Sequence, residues 1–533
     1  MRRWNILMMA VVCLLGLLGP GTRTVQAAAR PEYLKSVTYF GDEWPINYWG
    51  SEDKDMDANF ERIVADGFNS IILVIPWREF HPNTVSEVFN EAAFSRLNQV
   101  MDCAEKHGLW VSLRIGYLWD YYGESEVPPR YAELTKRGSS ARNAWLEYCQ
   151  RLYQTASSYS NFHSGFITWE DLWDYIYNLD RDLSKAERQK MAGECGYTEF
   201  LSSRYSLEAV QDWYGVQFSN FGEVYLPYGT HPSAALFYEY YDQFLLELLH
   251  ESQTVFPGLS LEIRADGDVV YDASGGFSYY SHAATYACGS APYSALMYSV
   301  SMGQENTGNY ISADTALQAM RTNLERMYAR SGKRFFVEQL LYMDSTEAFS
   351  HNTQIEDAQV GDFVRRLAPV LTERTMGYGL WVYRNYVNNC VYNGQFGLGE
   401  TGWDFTGTSE VVERNGTRMA SVSPSGSISQ RLTGRLSDGD KIYVSLHGET
   451  SGAVYVKVEI GNVEKNIHVV GSGDFVVEFP FQGRYDIRIR ADRQAYVDDI
   501  RVFTYEQKGR IYDRSGNELD LAEDFRTLNR ELP

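Results

Sequence analysis

A chain of 533 residues, 44% hydrophobic and 22% charged, has a globular balance and enough length for roughly two to four domains. Its net charge of −22 excludes nucleic-acid phosphates and anionic membrane surfaces as natural partners and disfavours strongly acidic polymers. Aromatic residues reach 14%, with 39 Tyr and 12 Trp, an excess that suits either stacking on ring-shaped ligands or a tyrosine-rich core.

Residues 1–28 read as a secretory signal. Arg2 and Arg3 form its basic region, Ile6 to Leu18 its apolar region, and Val25-Gln26-Ala27-Ala28 a small-residue cleavage site. The apolar run is too short for an ordinary membrane span, Cys13 lies in no lipobox, and no later segment is long and apolar enough to cross. The expectation is an exported chain, secreted to the exterior or the periplasm, with no membrane span once mature. Cys103, Cys149, Cys195, Cys288 and Cys390 remain after cleavage. Scattered, odd in number and without zinc-site spacing, they predict buried thiols and at most one bridge.

From Leu34 to about Asn389 short apolar runs alternate with amphipathic stretches. The predicted strands are Ser36–Phe40, Ser70–Ile75, Trp110–Ile115, Gly165–Trp169, Ser260–Arg264, Ala295–Val300, Arg334–Gln339 and Gly379–Tyr383. Helical spacing runs through Ala92–His107, Asp314–Ser331 and Asp357–Thr375, with Leu317, Met320 and Leu324 on one face of the second. Eight strand–helix alternations predict an α/β fold, a (β/α)8 TIM barrel over residues 29–395. The competing doubly wound sheet would bring a glycine-rich phosphate turn after an early strand, and none is present. Some sixty residues separate the fourth strand from its main helix, about Ala234–Thr254, and a loop there usually builds a substrate cleft. Composition then shifts toward Gly, Ser, Val and Thr with alternating strands such as Lys441–Leu446, Val454–Ile460, Phe475–Phe479 and Tyr485–Ile489, which predicts a β-sandwich over 396–505. Residues 506–533, polar and charged, read as a C-terminal tail or a loose packing element.

Two carboxylates stand in apolar surroundings. Glu338 lies in GKRFFVEQLLYMD, the seventh strand, and Glu170 in SGFITWEDLW, the fourth. A Glu inside a buried strand is costly unless it has a partner or a task. In a parallel barrel every strand end reaches one face, so the two converge although far apart in sequence. Paired carboxyls are what glycoside hydrolysis needs.

This placement resembles the clan A glycoside hydrolases, whose acid/base follows the fourth strand and whose nucleophile follows the seventh. The segment VIPWREFHPNTVSEVFNEAAFSRLNQVMDCAEKHGLWVSLRIG looks like the strand–helix–strand unit of the family 42 and 35 β-galactosidases, and FLSSRYSLEAVQDWYGVQFSNFGEV is similar to the insertion after the fourth strand in family 42. The resemblance covers about residues 35–390 and implies a retaining enzyme with Glu338 as nucleophile and Glu170 as acid/base. Where the clan carries Asn before the acid/base, this chain has Trp169, and Asp171 follows, so Glu170 and Asp171 both remain open. The zinc-binding cysteine cluster of many family 42 members is absent.

Trp381, in GLWVYRNY, stands where the clan places an aromatic platform beneath the sugar. Arg114, Arg78 and Tyr298 are candidates to keep the nucleophile ionised, and Trp77, Trp119, Trp169 and Trp173 to contact substrate; a packing role is the plainer alternative for each. The C-terminal sandwich, through GWDFTGTSEVV, SGSISQRL, DKIYVSLHG and YVDDIRVF, resembles jelly-roll carbohydrate-binding modules, although a spacer would look the same. In such modules a calcium often sits near the chain ends, and Asp498 or Asp499 could ligate it. HExxH, P-loop and G-x-S-x-G motifs are absent; a Ser–His–Asp site stays open, because its members need not be close in sequence. The expected partner is a poly- or oligosaccharide, and the expected chemistry uses no cofactor and no metal. An exo-acting β-galactosidase-like enzyme and a degenerate barrel that binds exopolysaccharide are the alternatives.

Overall fold

The computed structural model describes residues 29–82, 88–117, 133–168, 183–229, 231–264, 269–272, 274–301, 307–343, 351–432, 436, 439–481 and 486–533. Eight parallel strands close into a barrel: β1 (Leu34–Thr38), β2 (Ser70–Pro76), β3 (Trp110–Tyr117), β4 (Phe162–Ile167), β5 (Ser260–Arg264), β6 (Ser294–Ser299), β7 (Phe335–Leu341) and β8 (Thr375–Leu380), with β8 returning to β1. β2 shows why: all of SIILVIP is buried, the signature of a strand covered on both faces. Inside the barrel Leu34, Ile72, Phe166, Tyr293, Ala295 and Phe336 form a separate apolar cluster that plugs its lower part.

Each predicted strand exists. The eighth begins four residues earlier than expected, because Gly377 and Gly379 make TMGYGL look too weak for a strand. Both glycines are needed. A Cβ on Gly377 would lie 2.5 Å from that of Leu34, and one on Gly379 2.6 Å from the carbonyl oxygen of Glu338.

The helices ring the barrel in order: α1 (Met56–Ala65), α2 (Glu91–Lys106), α3 (Ser140–Ala156), α4 (Ala234–Val255), the single turn α5 (Ala283–Tyr286), α6 (Ala313–Ser331), and a seventh position split into α7a (Val360–Arg365) and α7b (Ala368–Arg374). The sequence predicts one helix over that seventh position. Pro369 at the first turn of α7b has no N–H to continue a helix from α7a, and the chain restarts there. Among its described residues the insertion after β4 carries three short helices, Lys185–Glu194, Tyr197–Arg204 and Leu207–Tyr214. Among the described residues no helix is long and apolar enough to cross a membrane.

After β8 the chain leaves the barrel, builds the sandwich and comes back. The exit and return strands, Tyr386–Val387 and Glu506–Gln507, pair antiparallel. Between them lie two five-stranded antiparallel sheets. One joins β9 (Asp404–Thr406), β12 (Ser427–Arg431), β17 (Asp486–Ala491), β14 (Val454–Ile460) and β15 (Val463–Val469). The other joins β10 (Glu410–Arg414), β11 (Thr417–Val422), β18 (Ala495–Phe503), β13 (Lys441–Glu449) and β16 (Ser472–Pro480). In β13 every second residue is buried, as a sheet with one core face requires.

The returning chain ends in α8 (Ala522–Glu531), a tightly packed element where the sequence leaves a tail or a loose packing element open. Phe525 and Leu528 are fully buried, with Phe525 packed 5.2 Å from the ring of Tyr342. α8 packs on α7a, while Arg526 Nε donates to Asp66 at the end of α1 (2.8 Å) and Tyr378 of β8 donates to Asn529 (2.7 Å). α8 therefore fills the eighth helix position of the barrel, and the sandwich is an insert between β8 and α8.

The insert is also held at the barrel's strand-end side. Arg501 of β18, 4% exposed, pairs with Asp42 (2.8 Å) and Glu43 (2.9 Å) in the loop after β1. Asp499, a candidate calcium ligand by sequence, pairs with the same guanidinium at 2.9 Å.

Candidate active site

Glu338 sits on β7 at an irregularity. Phe336 pairs with Ala295 and Gln339 with Met297 of β6; Val337 pairs with Tyr378 and Leu340 with Leu380 of β8. On both sides β7 spends three steps where its neighbour spends two, which is a β-bulge. The bulge decides which side chains enter the barrel. Phe336 belongs to the interior cluster, and Val337 and Leu340 belong to the core between sheet and helices. One extra residue lets both Glu338 and Gln339 face inward. Glu338 is fully buried.

Beside it lies a polar network that spans four strands. Arg114 of β3 donates to Gln339 Oε1 (2.8 Å) and Thr168 Oγ1 (3.2 Å) and forms an ion pair with Glu262 of β5 at 2.9 Å. Thr168 in turn donates to Glu262 at 3.2 Å. Arg114 and Glu262 are 1% and 0% exposed, so their attraction acts out of water. Glu262, which forms the ion pair with Arg114, is a residue that sequence reading missed. Its signal was present: SLEIR is another strand with one Glu among apolar neighbours, the pattern that singled out Glu338.

Tyr298 is corrected by parity. Ala295 lies in the interior cluster, so Tyr298, three residues on, faces the opposite side, and it pairs in register with the outward Leu340. The tyrosine on the inner side is Tyr293, just before β6. Its hydroxyl is 2.6 Å from Ser164 Oγ, and burial, with the charge of Glu338 adding to it, pushes its phenol up.

Trp381, 8% exposed, follows β8 and is boxed by Phe40 (5.3 Å), Trp44 (6.3 Å) and Tyr386 (6.1 Å), donating through Nε1 to Tyr386 at 3.2 Å. Its peptide bond to Val382 is cis. Trp77 is a core residue and not a subsite wall: it is fully buried and packs edge-on against Trp145 at 5.2 Å behind the strands. Arg78 lies toward the insert, where its charge acts on Glu79 and Tyr392. Burial pushes Glu79 up to about 7, against the hydrogen bond from Tyr392 (3.0 Å) and the pull of Arg78. Glu170, Trp169, Asp171, Trp119 and Trp173 lie outside the described residues.

Among the described residues, the metal-donor side chains that converge are Asp57, Cys103 and His107, on helices outside the barrel. The interior combines a carboxyl on β7 with a charge-balanced Arg–Glu pair. Such a carboxyl can act as a nucleophile or base when it is ionised.

No protein-family model and no curated protein matches the chain in sequence. Solved structures similar to it include a β-galactosidase from the psychrophilic Marinomonas ef1 at 12% identity and a TM-score of 0.45, covering 66% of this chain and 54% of that one. A GH5_18 protein from Streptomyces cattleya in complex with GlcNAc aligns at 13% identity and a TM-score of 0.42, covering 67% and 72%. An exo-β-1,4-mannosidase from an Opitutaceae bacterium aligns at 10% identity and a TM-score of 0.41, covering 68% and 54%. The chain spans about half the length of the first and the third. A barrel of this kind hosts many unrelated activities, so function has to come from the site.

Proposed function

We propose that the chain is an exported retaining glycoside hydrolase that cleaves β-glycosidic bonds in a poly- or oligosaccharide. The observation that carries the reading is Glu338. Its carboxyl is buried inside a closed barrel on the seventh strand, turned inward by a bulge, next to the Arg114–Glu262–Gln339 network. In this reading a Glu338 oxygen attacks the anomeric carbon as the bond to the leaving oxygen breaks, and that oxygen takes the proton of Glu170. Glu170, now ionised, removes a proton from water; the water oxygen attacks the same carbon and frees Glu338. Trp381 presents a ring face for the sugar's C–H bonds. We extend the reading to the insert, where half-exposed Tyr455 stacks on His468 at 4.9 Å and offers a similar surface.

The test uses aryl β-glycosides and a panel of β-linked polysaccharides. Glu338→Gln is expected to lower kcat by at least about a thousandfold, and a 2-deoxy-2-fluoro glycoside that inactivates the enzyme should be found esterified to Glu338 by peptide mass spectrometry. Full turnover in Glu338→Gln, or a label elsewhere, overturns the mechanism.

A second reading has an observation of its own. Glu338 is 0% exposed and the Arg114–Glu262 pair fills the barrel beside it, as in a barrel that binds saccharide through its loops without cutting it. Oligosaccharide binding by calorimetry, with no turnover of any substrate in the panel, would favour that reading.

A further inference from the structure

The outside of the barrel carries a set of donors that the catalytic reading does not use. Cys103 and His107 stand four residues apart at the end of α2, one helical turn, and so share a face. Asp57, in the first turn of α1, reaches both: its Oδ1 lies 2.8 Å from His107 Nε2 and 3.8 Å from Cys103 Sγ. The three donor atoms fall within 4.8 Å of one another. Lys106 brings its ammonium to the same Asp57 oxygen, so the point where the donors meet already attracts a cation. Cys103 is half-buried, whereas Cys149, Cys195, Cys288 and Cys390 are all buried. Asp57 is 61% exposed, which leaves the cluster open on its solvent side.

The donor set selects the ion. One sulfur, one imidazole nitrogen and one carboxylate oxygen do not suit Ca²⁺ or Mg²⁺, which take oxygen. They suit a borderline divalent ion that accepts S, N and O in a four-coordinate arrangement. We propose that Asp57, Cys103 and His107 bind a divalent d-block cation of the Zn²⁺ type, with water or an outside ligand in the fourth place. Binding moves the Lys106 ammonium off Asp57 and ties α1 to α2. No sequence motif announces the site, because one ligand comes from a different helix 46 positions from Cys103.

The experiment uses the full chain freed of metal by chelation and titrated with ZnCl₂ in a calorimeter, with CoCl₂ as the spectroscopic probe. The expected result is one equivalent of Zn²⁺ and a thiolate-to-cobalt charge-transfer band that disappears in Cys103→Ser. His107→Gln should weaken Zn²⁺ binding by at least about tenfold, and Lys106→Ala should tighten it several-fold by removing the competing charge. Lys106 is 63% exposed, so that variant reads out even if Cys103→Ser folds poorly. Absence of the cobalt band in the wild type, or Zn²⁺ binding that is the same in wild type, His107→Gln and Lys106→Ala, overturns the proposal.

Discussion

The Arg114–Glu262 pair gives the sharpest test of how the barrel interior is built. Both side chains are out of water, 2.9 Å apart, and Arg114 is further tied to Gln339 and Thr168. Removing one charge of such a pair leaves the other buried beside a neutral partner, at a cost of about 3–5 kcal/mol. Replacing both with apolar residues of similar size is near neutral, because the desolvation penalty of two ions disappears with their attraction. Glu262→Gln and Arg114→Met are therefore each expected to destabilise strongly, and Arg114→Met/Glu262→Leu to recover most of the loss. Urea unfolding followed by tryptophan fluorescence suits the measurement, since of the 12 Trp only Trp403 lies in the insert. With a slope of about 3 kcal/mol per molar urea, each single variant should lower the midpoint by roughly 1–1.7 M. Single variants within about 0.5 kcal/mol of wild type, or a double variant as unstable as the sum of the singles, would refute the reasoning.

Two further outcomes follow from other parts of the fold. Phe525→Ala empties a fully buried site between α8 and Tyr342 and should cost the barrel about 3–5 kcal/mol, visible as faster proteolysis of the barrel with the insert intact; unchanged resistance would mean α8 is not part of the barrel core. Glu79, whose carboxyl burial lifts from 4.5 to about 7, favours the protonated form in the folded chain. Its contribution to stability is thus present below about pH 4.5 and is lost as pH rises toward 7. Glu79→Gln should match wild type at pH 4 and be more stable at pH 8 by urea midpoint; a variant less stable at both pH values would count against the assignment.

Most of the barrel could be read from sequence because a parallel strand covered on both faces must be largely apolar, as SIILVIP is throughout and FFVEQLL is apart from Glu338 and Gln339. What escaped reading was set by neighbours distant in the chain. β8 looked weak because its glycines are dictated by Leu34 and by the Glu338 carbonyl. Tyr298 sits in an apolar run whose alternate side chains face outward, and Tyr293, on the inner side, lies just outside that run. The bulge at Val337–Gln339 has no local signature, yet it is what turns Glu338 and Gln339 to the same side. α8 did carry a signal, with Phe525, Leu528 and Leu532 at helical spacing, but its charged outer face masked it.

The return of the chain to the barrel after the insert also constrains the order in which the molecule can assemble. Asp66 and Arg526, 460 positions apart, must meet before the ring of helices is complete, so the barrel cannot be sealed until the whole insert has been synthesised. The two ends of the insert meet where Asn388 Oδ1 accepts from the amide of Thr504, 116 positions away. Joining those ends through a loose chain costs about 4 kcal/mol of closure entropy, whereas a folded insert holds them side by side in advance. Assembly that begins with the sandwich thus hands α8 to the barrel as a near neighbour, and the second domain acts as an internal splint for closing the first.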